Sequence, residues 1–283
     1  MKRVMVLGAG FMGHSIAQVC ANGGYEVDLW DLTDELAQKG YDSIAQGLDR
    51  QVARGKDTQE HVDALLGRLH PCSNISAAAQ ADLIIEAVVE DVKIKQDVLA
   101  KAEAYCGEDT ILGTNTSFIP ITRLAECLQK PERFIGLHFF APVYAMKLLE
   151  IIRGEKTSDK TVEKAREFGE QIGKISVLVQ KDAPGFIVNR INYATYLEAY
   201  KVMQEGIASI EDIDKAMKYG LNVPMGPFEL NDYGGLDTVS KCLATLYSLT
   251  GEERYKPIPE LEAHVAKGEY GRKSGKGWYD YTK

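Results

Sequence analysis

The sequence predicts an α/β protein: a doubly wound, mostly parallel sheet carrying an inserted helical hairpin, followed by a smaller all-α domain. Three observations carry that prediction. Gly8, Gly10 and Gly13 stand between an apolar run and a helical pattern. Apolar runs then alternate with helical stretches as far as residue 179. Beyond Lys181-Asp182-Ala183-Pro184-Gly185 the helical period continues almost without strand signal, which places two domains at 1–182 and 183–283.

The elements follow in order. Residues 4–7 read as a buried parallel strand and 11–21 as the helix after it, so the glycines fall where a strand turns sharply into a helix. Gly8 permits the tight turn, Gly10 removes the side chain that would hold backbone away from a pyrophosphate, and Gly13 lets helix and strand pack closely. This is a Rossmann-like dinucleotide fingerprint. Residues 26–30 form the second strand. Asp31 follows it, placed to accept both ribose hydroxyls and to repel a 2′-phosphate, which favours NAD while leaving NADP possible.

Polar helical stretches at 34–54 and 58–69, separated by Gly55-Lys56-Asp57, make the inserted hairpin. The alternation resumes with a strand at 83–88, a helix at 92–105, a strand at 110–113 and a short helix after Pro120. Runs at 133–140 and 147–152 are joined by a loop too short for a parallel crossover, so they pair antiparallel. A helix at 158–172 and a strand at 175–179 complete the first domain. In the second, 187–204 form a long helix rich in Ile, Leu, Tyr and Met, with helices at 210–217, 235–249 and 258–266 behind it. So apolar a first helix in so small a domain predicts burial against a second copy, a homodimer.

Composition removes several classes of function. The net charge of −8 disfavours a general role on nucleic acid or anionic membrane. No stretch approaches the roughly 20 apolar residues of a membrane span, and the run at 4–7 is too short for a signal peptide. Five scattered cysteines without C-x-x-C fit the cytoplasm rather than a disulfide framework or a zinc site, so no metal is expected.

One pair of residues points to chemistry. His138 ends one strand of the antiparallel pair, and a turn in the middle of the 141–146 loop brings it within a residue of facing Glu150, where side chains lie about 5 Å apart. Glu150 is also the only acid in the apolar run 148–152, where an unpaired charge is costly. Hydride removal from a secondary alcohol leaves a proton that an imidazole accepts at neutral pH, while a carboxylate on its other nitrogen sets the tautomer. A structural ion pair is the competing reading. His14, His61, His70 and His264 are better explained as surface or packing residues.

Taken together, Gly8-Ala-Gly-Phe-Met-Gly13, Glu86-Ala-Val-Val-Glu-Asp91, Asn115-Thr-Ser117, His138-Phe-Phe-Ala-Pro142, Lys147-Leu-Leu-Glu-Ile-Ile152, Pro184-Gly-Phe-Ile-Val-Asn-Arg190 and Pro224-Met-Gly-Pro-Phe-Glu-Leu230 resemble the L-3-hydroxyacyl-CoA dehydrogenase family over the whole length. The likeness is nearest the short bacterial members acting on 3-hydroxybutyryl-CoA. It implies that His138 is the general base, or the acid in reduction, with Glu150 as its orienting partner, and that Ser117 and Asn189 surround the substrate oxygen. It implies cofactor contacts from the glycine loop including Phe11 and Met12, and from Asp31, Glu90, Lys95, Ser117 and Lys273. On their own, Glu90, Lys95 and Lys273 read as solvated charges. In the hairpin, Arg50 and Arg54 share one helical face with Lys56 just beyond, and the likeness assigns Arg54 and Lys56 to the phosphates of an acyl-CoA thioester.

Three positions depart from the family pattern. Ala141 stands where an Asn is common, Phe118 where a small polar residue is usual, and Tyr144 in place of a frequent Pro. The last two bear on the acyl pocket. The competing functions are a related NAD-dependent hydroxy-acid or sugar-acid dehydrogenase without coenzyme A, a non-catalytic NAD-binding regulator, and a flavoprotein.

Overall fold

The computed structural model describes residues 1–282. Contacts divide the chain into two bodies, Met1–Ala183 and Pro184–Lys283. The first runs β1 (Arg3–Leu7), α1 (Phe11–Asn22), β2 (Glu26–Trp30), α2 (Asp34–Ala53), α3 (Gln59–Leu66), β3 (Leu69–Cys72), β4 (Leu83–Glu86), α4 (Val92–Glu103), β5 (Ile111–Thr114), α5 (Ile121–Leu124), β6 (Phe134–Phe139), β7 (Leu148–Ile152), α6 (Asp159–Gln171) and β8 (Ile175–Val179).

These strands form one eight-stranded sheet in the order β3-β2-β1-β4-β5-β6-β7-β8. The strands from β3 to β6 are parallel, while β7 is antiparallel to β6 and β8 is parallel to β7. Successive residues of β1 serve opposite faces: Val4 and Val6 join a core with Ile16, Leu29 and Ile85, and Met5 and Leu7 join another with Trp30, Ile84 and Val98. A sheet covered on both faces needs continuous apolar strands rather than alternating ones, which is how β1 and β4 read. Helix starts are set by short polar side chains. Thr33 accepts the Leu36 amide before α2, Asp91 the Ile94 amide before α4, and Ser158 the Thr161 amide before α6.

The order reverses between β1 and β4. Loops leaving neighbouring strands there diverge to opposite faces, and the crevice between them is where open α/β sheets hold ligands. Both the glycine turn after β1 and the Ala87-Val88 segment after β4 lie at this point.

Two elements are absent from the sequence reading. The helix expected through 69 ends at Leu66, and Leu69–Cys72 is instead a strand, so α2 and α3 form the crossover from β2 to β3. With four residues, one of them Pro71, it has no period to recognise. It is tolerated because β3 is an edge strand bonded to β2 alone.

The second body consists of α7 (Val188–Gln204), α8 (Ile210–Leu221), α9 (Pro227–Gly234), α10 (Leu236–Thr250) and α11 (Pro259–Ala266). Helix α9 was the other omission; Pro227 stands at its start, where proline's missing N–H costs no intrahelical bond. Within this body, buried Asp232 accepts the amides of Trp278 and Tyr279, and buried Asp214 accepts those of Phe228 and Glu229, so the carboxylates anchor the C-terminal segment and α9. Among the described residues of the chain, no helix is long and apolar enough to cross a membrane.

Candidate active site

The glycine turn holds the geometry its spacing demands. Gly8 has φ +102°, and a Cβ there would lie 2.9 Å from the Ala87 carbonyl oxygen. A Cβ on Gly13 would sit 1.7 Å from the Gly8 carbonyl oxygen, so α1 and the end of β1 touch through backbone. Gly10 is different: a Cβ there would meet no atom within 4 Å. Nothing in the protein requires glycine at that point, whereas a phosphate resting on the backbone does. Among the described residues no side chain caps the start of α1, and its first turn carries no acid, leaving amide dipoles to face an anion. The turn therefore fits a dinucleotide pyrophosphate.

Asp31 ties this turn in place. One carboxylate oxygen accepts the Ala9 amide at 2.8 Å and the other the Leu32 amide at 2.7 Å. An ionised carboxylate offers about four acceptor positions, so capacity for ribose hydroxyls remains.

His138 and Glu150 are directly paired residues of β6 and β7, and Nδ1 lies 2.7 Å from Glu150 Oε2. With a carboxylate as acceptor, Nδ1 is the donor, which puts the basic lone pair of a neutral imidazole on Nε2. Carboxylate pairing does not by itself distinguish this histidine, because His61 meets Asp57, His70 meets Glu26 and His264 meets Glu269. Burial does. The side chains of His138 and Glu150 are 4% and 0% exposed, against 48% and 17%, 42% and 46%, and 24% and 16% for the other three pairs. Only in the first does the carboxylate act through a medium from which water is excluded.

Lys95 is not a solvated charge. It is 1% exposed, with Nζ 2.8 Å from Glu86 Oε1 and 3.1 Å from Glu90 Oε2. Glu86, fully buried at the end of β4, also accepts the Thr114 hydroxyl at 2.6 Å and the Val88 amide at 2.7 Å. Burial raises its carboxyl above the ordinary glutamate range even against Lys95. Glu90 accepts the Thr116 hydroxyl and the amides of Ser117 at 2.9 Å and Phe118 at 3.3 Å. Burial pushes the Glu90 carboxyl up too, but the Lys95 charge and these donors outweigh it and the net shift is downward. The turn carrying Ser117 is thus clamped by Glu90, a partly exposed carboxylate held from below by buried Lys95 and Glu86. Next to it, Asn115 Oδ1 accepts the Phe139 amide at 2.9 Å, fixing the strand end beside His138.

Sequence reasoning did not single out Glu86 or Asn115 as separate roles. Glu86 carried the same signal that exposed Glu150, a lone acid in an apolar strand, while Asn115 carried none outside its family motif.

Arg54 and Lys56 line a cleft of about 420 Å³ together with Arg50, Phe11, Pro142 and Tyr144. Tyr144 therefore faces cations of α2 and the loop after it, while Phe118 is buried and Ala141 exposed. Asn189 and Lys273 belong to the second body. Asn189 lies half-buried in the first turn of α7, and Lys273 pairs with Asp237, Nζ to Oδ2 2.7 Å.

Comparison with known proteins agrees with this geometry. Residues 3–183 match the NAD binding domain of 3-hydroxyacyl-CoA dehydrogenase, and residues 185–281 match its C-terminal domain. The chain is 40% identical over 280 residues to a probable 3-hydroxybutyryl-CoA dehydrogenase of Bacillus subtilis, covering 99% of this chain and 97% of that protein. It is 40% identical over 288 residues to the human mitochondrial hydroxyacyl-coenzyme A dehydrogenase, covering 99% and 91%. The crystal structure of (S)-3-hydroxybutyryl-CoA dehydrogenase from Ralstonia eutropha superposes with a TM-score of 0.93 at 40% identity, covering 100% of both chains.

Proposed function

Because the chain belongs to the 3-hydroxyacyl-CoA dehydrogenase family, we propose that it interconverts (S)-3-hydroxyacyl-CoA and 3-oxoacyl-CoA, with 3-hydroxybutyryl-CoA as its short-chain substrate and NAD as its redox partner. The observation that carries the reading is the dry His138–Glu150 pair on the same sheet as an open-faced glycine turn. NAD supplies the hydride acceptor, or donor in reduction. The chain supplies the rest. His138 Nε2 takes the hydroxyl proton, and Glu150 stabilises the imidazolium that forms. Ser117 and Asn189 offer a hydroxyl and an amide to charge developing on the substrate oxygen.

Glu90 and Lys95 hold the Ser117 turn on the cofactor side, and Lys273 is a further cofactor contact. Asp31 supports NAD over NADP, since a 2′-phosphate beside that carboxylate is repelled. Arg54 and Lys56 take acyl-CoA phosphates. The apolar groove of about 850 Å³ lined by α7 residues, with Ile191 64% exposed, supports a homodimer formed through a second copy. A monomer in sedimentation would exclude that. We place the enzyme in the cytoplasm, on the cysteine pattern.

Purified protein is expected to oxidise NADH with acetoacetyl-CoA, and His138→Ala to lower turnover far more than NADH affinity. Inertness of the wild type toward acetoacetyl-CoA and its longer homologues would overturn the assignment.

A further inference from the structure

The loop from β6 to β7 is built more rigidly than a connection between two strands requires. The Pro142 carbonyl accepts both the Ala145 and the Met146 amides at 3.0 Å, closing a tight turn. The Val143 side chain is 1% exposed and anchors the turn in the core. Beneath it, the ammonium of Lys174 is buried and donates to the carbonyl oxygens of Val143 and Met146, the latter at 2.7 Å. Burial lowers its pKa, and the two carbonyls give the buried ammonium hydrogen-bond acceptors in place of water. At the tip of this fastened turn stands Tyr144, 61% exposed.

An exposed aromatic ring held on a rigid turn is a stacking surface, and its setting defines what stacks. Tyr144 shares its cleft with Arg50, Arg54 and Lys56, none of which has a carboxylate partner among the described residues. Phe11, itself 64% exposed, lines the same cleft. Cations without counter-charges beside aromatic faces match a ligand that carries phosphates and a planar base.

We propose that Tyr144, in the same cleft as Arg50 and the phosphate contacts Arg54 and Lys56 assigned above, stacks on the adenine of the substrate's nucleotide end, and that Lys174 is the positioning residue that holds Tyr144 in place. The inference rests on the acyl-CoA reading above and makes Tyr144 a recognition residue for the handle rather than for the acyl chain.

The test compares acetoacetyl-CoA with acetoacetyl-pantetheine, which lacks the nucleotide. Tyr144→Ala is expected to raise KM for the CoA ester about tenfold, as loss of one base–aromatic stack does, with kcat and the KM for NADH unchanged. It leaves the pantetheine ester unaffected, and Tyr144→Phe behaves as wild type. Lys174→Met gives the same split in smaller measure, with circular dichroism reporting that the fold is kept. An equal KM rise on both esters, or none on either, overturns the stacking role. A wild-type enzyme that uses the pantetheine ester as well as the CoA ester overturns the nucleotide contact, whereas one inert toward both esters overturns the acyl-CoA reading itself.

Discussion

Replacing Glu150 by Gln keeps the size and the sheet position of the side chain and removes its charge. The bonded atoms are 2.7 Å apart and both groups are excluded from water. With charge centres roughly 4 Å apart and an effective dielectric constant of about 20, imidazolium and carboxylate attract by about 4 kcal/mol. If between half and all of the proton's charge has reached the ring at the transition state, its loss lowers kcat by about 30-fold to about 1000-fold. The assay is NADH formation from (S)-3-hydroxybutyryl-CoA, the direction in which the substrate hydroxyl gives up its proton. KM for NAD is expected to stay at the wild-type value, because the pair acts on the proton and not on the dinucleotide. The double variant with His138→Ala should be no slower than His138→Ala alone, since the two residues act as a unit. A folded Gln variant turning over at the wild-type rate would refute the reasoning and reduce the pair to a structural contact.

Two further perturbations separate ligand binding from folding. Gly10→Ala is expected to leave thermal unfolding unchanged, because its Cβ meets nothing within 4 Å, yet to weaken NADH binding about tenfold or more by lifting a phosphate off a backbone amide. Gly13→Ala drives a methyl to 1.7 Å from a carbonyl oxygen and should cost about 3 kcal/mol or more of stability in the absence of ligand; equal melting temperatures for the two variants would contradict this account. Glu90 gives a pH signature. Its carboxyl is held below the ordinary range, so its stabilisation is complete above the unfolded glutamate pKa of about 4.3 and is lost as pH falls through the lower folded value. Wild type should therefore exceed Glu90→Gln in denaturant stability at neutral pH and converge with it in acid, and parallel pH profiles would remove Glu90 from the clamp.

What could be read from residues alone divides along a physical line. The glycine turn, the antiparallel hairpin and the meeting of His138 with Glu150 were legible because each depends on short-range geometry: a turn needing φ above zero, a loop too short to cross over, a period of two along paired strands. The burial of His138 was not legible, and burial is what separates it from three other carboxylate-paired histidines. Lys95 misled as a bare residue because its partners, nine and five positions away, are brought to it by a strand and a loop whose placement no local pattern encodes. Strand β3 was hidden by its length and its proline, and α9 by a proline that marks a helix start as readily as a turn.

The hairpin of β6 and β7 has a consequence for how this enzyme can change. The spacing of His138 and Glu150 is fixed by the ladder of backbone bonds between the strands, in which Gly136 faces Ile152 and Phe139 faces Leu149. It does not depend on what occupies the tip of the loop. A substitution at 144 therefore changes the loop tip without moving His138 or Glu150, whereas a one-residue slip of β7 would turn Glu150 to the opposite face and part the pair. One short stretch of chain thus holds an adjustable position and an inflexible one side by side, so that under the proposed roles selection for a new substrate handle can proceed there without re-optimising the reaction.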